Sequence, residues 1–125
     1  MKIVINGKPM SANRMEGMRA VRTKSGKNFA QKYPTTEYKL FLSNFIESTN
    51  EMSWQFEKTA DLKVTFNAFF SNRASDLDNV LKPSLDALQK VFDWNDKYCY
   101  EIAAYKHLVK RGEERLEINV EEVKR

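Results

Sequence analysis

Asp76, Asp78 and Asp96 are hard oxygen donors set near one fixed cation, Lys82, and that combination suits a divalent metal acting on a phosphate ester. The first two acids fall in the run Asp76-Leu77-Asp78-Asn79-Val80-Leu81-Lys82. They stand out from a basic background of 21 Lys and Arg against 17 Asp and Glu, so they are not simply the prevailing surface charge. If the three acids converge, two unit charges about 4 Å apart repel by roughly 4 kcal/mol at an effective dielectric of 20. A bound cation relieves that repulsion, polarises a phosphoryl oxygen and lowers the pKa of an attacking water, while Lys82 neutralises charge growing on the phosphate.

The same spacing admits a plainer arrangement. Asp76 and Asp78 can serve as helix caps, Lys82 as half of a surface ion pair and Asp96 as a turn residue. A calcium EF-hand loop is excluded, because Val80 and Leu81 occupy positions where a ligand and a glycine are required.

Elements that could position these residues are legible in the hydrophobic pattern. Residues 2–6 alternate as a short first strand, closed by Gly7 and Pro9. Residues 8–34 are basic and weakly periodic, which predicts a long functional loop, with a hairpin turned at Ser25-Gly26 as one option. Thr35-Thr36 can cap a helix running through Tyr38, Leu42, Phe45 and Ile46. Residues 61–70 read as the clearest strand, with Leu62, Val64, Phe66, Ala68 and Phe70 on one face. Leu77, Leu81, Leu85, Leu88 and Phe92 mark a second amphipathic helix. Pro83 requires that regular helix begin near Val80 or that residues 76–82 bend. Residues 98–110 suit a central strand, and with Leu116, Ile118 and Val120 beyond the turn at Arg111-Gly112 they predict a β-hairpin. The order strand, helix, strand, helix, strand, strand implies an α+β fold, one mixed sheet with two main helices packed on it.

Length and composition narrow the function classes. The 125 residues fit a single domain, 1–125, with 42% apolar residues to build a core. No run approaches the ~20 apolar residues that span a bilayer and the N-terminus lacks a signal-peptide core, so the expectation is a cytoplasmic protein with no membrane role. One cysteine, Cys99, and one histidine, His107, leave no zinc-ligand cluster. Cys99 reads as a small buried hydrophobe, and His107 as a surface or packing residue. Arg14, Arg19, Arg22, Lys24, Lys27 and Lys32 share their segment with a single acid, Glu16, and point to a polyanion as partner.

At these residues the chain resembles the RusA family of Holliday-junction resolvases of bacteria and bacteriophages. The likeness lies in Asp76-Leu77-Asp78-Asn79, Lys82, Asp86-Ala87-Leu88 and Trp94-Asn95-Asp96, and upstream in Gly7-Lys8-Pro9-Met10-Ser11-Ala12-Asn13-Arg14. The resemblance implies that Asp76, Asp78 and Asp96 bind the metal, Mg²⁺ with Mn²⁺ as a substitute, and that Lys82 is the catalytic lysine. It further implies a homodimer that presents one site to each of two strands of a four-way DNA junction, making paired, symmetric nicks in recombination and repair. The basic segment would then contact phosphates around the branch point. Lys8, Asn13, Arg14, Arg19, Arg22, Lys24, Lys27, Lys32 and Arg73 are the candidate DNA contacts. Asp86 is left as a structural residue. A module that binds branched DNA without cutting it is the alternative, because Asn95-Asp96 stands where members often carry two consecutive acids.

Overall fold

Strand β4 (Leu62–Phe70) organises the protein, with inward residues Leu62, Val64, Phe66, Ala68 and Phe70 buried and the intervening ones half-covered. The computed structural model describes residues 1–124. Strand β1 (Lys2–Asn6), helix α1 (Thr36–Ser48), helix α2 (Leu81–Phe92), strand β5 (Cys99–Leu108) and strand β6 (Arg115–Glu122) complete a four-stranded sheet of order β1-β6-β4-β5 with two helices. β4 runs parallel to β5 and antiparallel to β6, which in turn pairs antiparallel with β1. The fold is therefore mixed α+β, as the pattern implies.

Two strand assignments differ from the sequence reading. β5 is an edge strand rather than a central one, and β5 and β6 do not form a hairpin, because β4 lies between them. The reason is the parallel pairing of β4 with β5, which α2 makes possible by carrying the chain back along the sheet. β6 then closes on the free antiparallel edge of β4, where Leu116, Ile118 and Val120 are all buried.

Thr35 caps α1, its hydroxyl oxygen accepting the Tyr38 amide at 3.2 Å. The buried stripe of α1 is Tyr38, Phe41 and Phe45; Leu42 is half-buried, and Ile46, expected inside, is 56% exposed. α2 begins at Leu81 behind a 3-10 turn at Asp78–Val80, which places Pro83 in its first turn, where the missing N–H costs nothing. Its buried stripe is Val80, Pro83, Ser84, Ala87 and Leu88, whereas Leu77, Leu81, Leu85 and Phe92 pack at the margin of the core.

The basic segment is more ordered than a loop. Strands β2 (Glu16–Arg22) and β3 (Asn28–Pro34) form a two-stranded ribbon apart from the main sheet, turned through Ser25-Gly26. Gly26 sits at φ +84°, a region that favours glycine. The ribbon is almost wholly exposed, so its own cross-strand pairs and its feet must hold it. Arg19 donates to Gln31 at 3.0 Å, and the Tyr33 ring lies so close over Gly17 that an added Cβ would meet it at 2.4 Å. At the base, the Thr35 amide donates to the Met15 carbonyl at 3.0 Å and its hydroxyl to the Arg14 carbonyl.

Candidate active site

β4 ends at Phe70 and the chain must turn through residues 71–75 before Asp76. Asn72 folds this turn by accepting the Ser75 amide and hydroxyl, each at 3.0 Å. Lys106 of β5 reaches across and donates to the carbonyls of Arg73, at 2.7 Å, and Ser75. These bonds fix the approach to the acids. The sequence reading missed Lys106, because only the parallel register of β4 and β5 sets Leu108 beside Phe70 and Lys106 beside Ala68.

Asp76 and Asp78 are both exposed, and among the described residues neither carboxylate has a hydrogen-bond or ionic partner. They are not helix caps: Leu77 precedes the 3-10 turn, Val80 precedes α2, and neither cap position makes a side-chain bond. Two unpaired carboxylates one residue apart at a helix entrance are thus free to bind something else. Lys82 follows in the first turn of α2, 68% exposed and 3.4 Å from the carboxylate of Asp86. That i,i+4 contact explains Asp86 as a structural residue, and at this exposure it holds Lys82 only weakly.

Beside Asp76 opens a cavity of about 760 Å³. The segment from Asn6 to Ser11 forms one wall, with Asn13 and Arg14; α1 adds Leu40, Phe41 and Asn44; Asn72, Asn79 and Val80 close the other side. The short 3-10 turn at Ala12–Arg14 packs on the Asp78–Val80 turn and on α2, which brings the upstream motif to the acids. Arg14 pairs loosely with Glu37 at 3.6 Å, while Lys8 has no ionic partner among the described residues. Asn79 and Asn72 escaped the sequence reading as cavity residues, although Asn79 lies within the acidic run and Asn72 shortly before it.

Asp96 is not brought to the other two acids. It opens a short 3-10 turn after α2, its amide donating to the Gln89 side chain at 3.2 Å, immediately before β5 begins beside Leu62. The 12 residues of α2 advance about 18 Å at roughly 1.5 Å per residue, so Asp96 and Asp76 lie at opposite ends of the helix. Accordingly, no group of three or more His, Cys, Asp or Glu side chains able to hold a metal occurs among the described residues. Within one chain the described residues thus keep Asp96 apart from Asp76 and Asp78. A parallel β–α–β crossover returns the chain to the starting edge of the sheet, whereas the loop after β4 lies at the finishing edge.

The candidate DNA contacts distribute over two surfaces. Lys8, Asn13, Arg14 and Arg73 surround the cavity and the turn before Asp76. Arg19, Arg22, Lys24, Lys27 and Lys32 project from the β2–β3 ribbon, where Lys32 makes a loose 3.8 Å pair with Glu16 and Arg19 lies 5.5 Å from the Tyr33 ring centre.

Other residues settle into packing. His107 stacks on Phe69 with ring centres 4.4 Å apart and shares a 2.7 Å hydrogen bond with Asn67, so it is a packing residue, as read from sequence. Cys99 is half-buried rather than buried; burial, and then the nearby Asp96 charge, push its thiol up. Trp54, Phe56, Phe92 and Trp94 cluster with ring centres 5.0 to 5.6 Å apart.

Exposed paired acids, a following lysine and basic surfaces on a mixed sheet describe a hydrolase of nucleic-acid phosphodiesters. Comparison with protein families agrees: the model of endodeoxyribonuclease RusA matches residues 6–121. The chain belongs to the RusA endodeoxyribonuclease family, enzymes that hydrolyse phosphodiester bonds of DNA. No curated protein matches it.

Proposed function

We propose that this protein is a Mg²⁺-dependent Holliday-junction resolvase that cuts two opposed strands of a four-way DNA junction. The observation that carries the reading is the pair of unpartnered carboxylates, Asp76 and Asp78, beside a cavity lined by Lys8 and Arg14 and just ahead of Lys82, within a chain of this family. Family membership implies junction resolution and divalent-metal dependence, and to these the proposal adds Mg²⁺ as the ion and paired cuts as the outcome. The donor set fits the ion, because Mg²⁺ is commonly held by one or two carboxylates together with substrate phosphate and water. When bound, it supplies polarisation of the phosphoryl oxygen and a more acidic water.

The chain's own residues do the rest. Lys8 and Arg14 draw the phosphate backbone towards the acids, and the ribbon cations extend that contact along an arm. Water adds to phosphorus and the P–O3′ bond breaks, leaving a 3′-hydroxyl and a 5′-phosphate that ligase can rejoin. Lys82 offsets the negative charge that accumulates on the phosphoryl oxygens, helped by the positive end of α2.

A homodimer supplies the third acid. β5 has an open edge and carries four exposed large apolar residues, Tyr100, Ile102, Tyr105 and Leu108. Antiparallel pairing of two β5 edges about a two-fold axis sets the start of one strand beside the end of the other. Asp96 of the partner subunit, just ahead of β5, then approaches the end near Leu108, where residues 71–78 lie. Each junction strand would meet one such shared site.

Incubation with a synthetic four-way junction and Mg²⁺ should give two opposed, religatable nicks, with none on linear duplex or without metal. Equal cutting of linear duplex, or binding that no divalent cation converts to product, would overturn the proposal.

A further inference from the structure

We propose that the cavity beside Asp76 receives one unpaired nucleotide of the branched DNA, and that this capture selects junctions over linear duplex. The inference rests on the resolvase reading and assigns the cavity a ligand. Its floor is apolar and firm, built from core side chains such as Met10, Phe41, Phe70 and Val80. Leu40 leaves 65% of its surface exposed at the cavity wall, an apolar side chain that the core does not use.

The rim is of the opposite character. The side-chain amides of Asn13 and Asn79 have no hydrogen-bond partner among the described residues, although both line the cavity. An amide offers two donors and an acceptor, the complement of a base's pairing edge. Lys8 stands free at the same wall, available to a phosphate. An apolar floor, side-chain amides with no protein partner and a cation are the three surfaces a nucleotide presents in mirror image: base face, base edge and phosphate.

Size and position commit the site to a nucleotide of the cut strand. About 760 Å³ falls within the range of small-ligand pockets, ample for one nucleotide and too small for a duplex. Because Asp76 lines the same cavity, a base held there sets its own phosphate near the acids. Freeing a base from a continuous duplex breaks stacking on both sides, whereas a pair at the branch point lacks continuous stacking on one side and opens more readily. Preference for branched DNA then follows without any reading of sequence.

Junctions carrying 2-aminopurine beside the cut bond, or deep in one arm, test this in metal-free buffer, where binding proceeds without cleavage. Emission should change on binding at the branch position and not in the arm, as that base leaves its stacked neighbours. Leu40→Glu, on an exposed helix position, should abolish that change and weaken junction binding about tenfold, since it replaces an apolar contact with a carboxylate that repels the phosphates. Ala74→Phe, filling the cavity from the turn, should do the same if Leu40→Glu compromises folding. Identical emission at both positions, or junction affinity unaltered in a folded variant, would overturn the assignment. Parallel cleavage with Mg²⁺ separates the two ideas: cutting without an emission change removes the nucleotide site alone. An emission change without cutting supports the site and removes the nuclease reading.

Discussion

Mixing two inactive variants, Asp78→Asn and Asp96→Asn, should restore cleavage. Within one chain the two acids stand beyond opposite ends of α2, whose 12 residues advance about 18 Å, whereas Mg²⁺ accepts oxygen ligands at ~2.0–2.1 Å. No side-chain motion closes that gap, so if Asp96 joins the other two acids at one ion it does so from another subunit. In a mixed dimer the Asp96→Asn subunit keeps its own Asp76 and Asp78 and receives Asp96 of the partner subunit. One site is complete and the other lacks two acids. Random exchange gives about half mixed dimers with one working site of two, hence roughly one quarter of wild-type activity, as single nicks rather than paired cuts. The assay is nicking of a labelled junction after subunit exchange, with exchange itself verified by differently tagged chains. Failure of complementation despite verified exchange would refute the shared site. Full activity of Asp96→Asn alone would remove Asp96 from the chemistry altogether.

Further expectations concern charge and packing. Lys82→Ala should lower turnover about 10²- to 10³-fold with little change in junction affinity, and barely alter the melting temperature, because its pair with Asp86 is exposed; comparable losses of turnover and affinity would instead make it a phosphate anchor. Replacing Arg19 and Arg22 with Gln should flatten the slope of log K against log salt by about 2 and leave the cleavage rate at saturation intact. Glu117 is held below the ordinary glutamate value, chiefly by the Lys2 hydrogen bond at 2.9 Å and also by Arg115. Its folded pKa is depressed, so its contribution is complete above the unfolded value and disappears as pH falls through the folded one. Lys2→Met should therefore reduce stability at neutral pH and flatten the acid limb of a thermal-midpoint titration. Phe45→Ala, which empties a fully buried position, should cost about 3–5 kcal/mol in denaturant unfolding.

Much of this protein is legible in its sequence because the relevant forces are local. The alternation of residues 62–70, the Thr35 cap and the Pro83-limited start of α2 each depend on neighbours a few positions away, and each appears as the pattern predicts. The acidic run with Lys82 is equally local, since a single helix entrance positions it. Pairing partners are a different matter. A strand's period says which face is buried but not which strand lies alongside, so β5 and β6, adjacent in sequence and joined by a turn, read as a hairpin although β4 separates them. That one choice of pairing made β5 an exposed edge, while the length of α2 by itself keeps Asp96 at the far end from Asp76. The pairing also brought Lys106 over the turn before Asp76. The cavity likewise needs three segments distant in sequence, the chain after β1, the face of α1 and the turn after β4, so long-range packing alone decides that it exists.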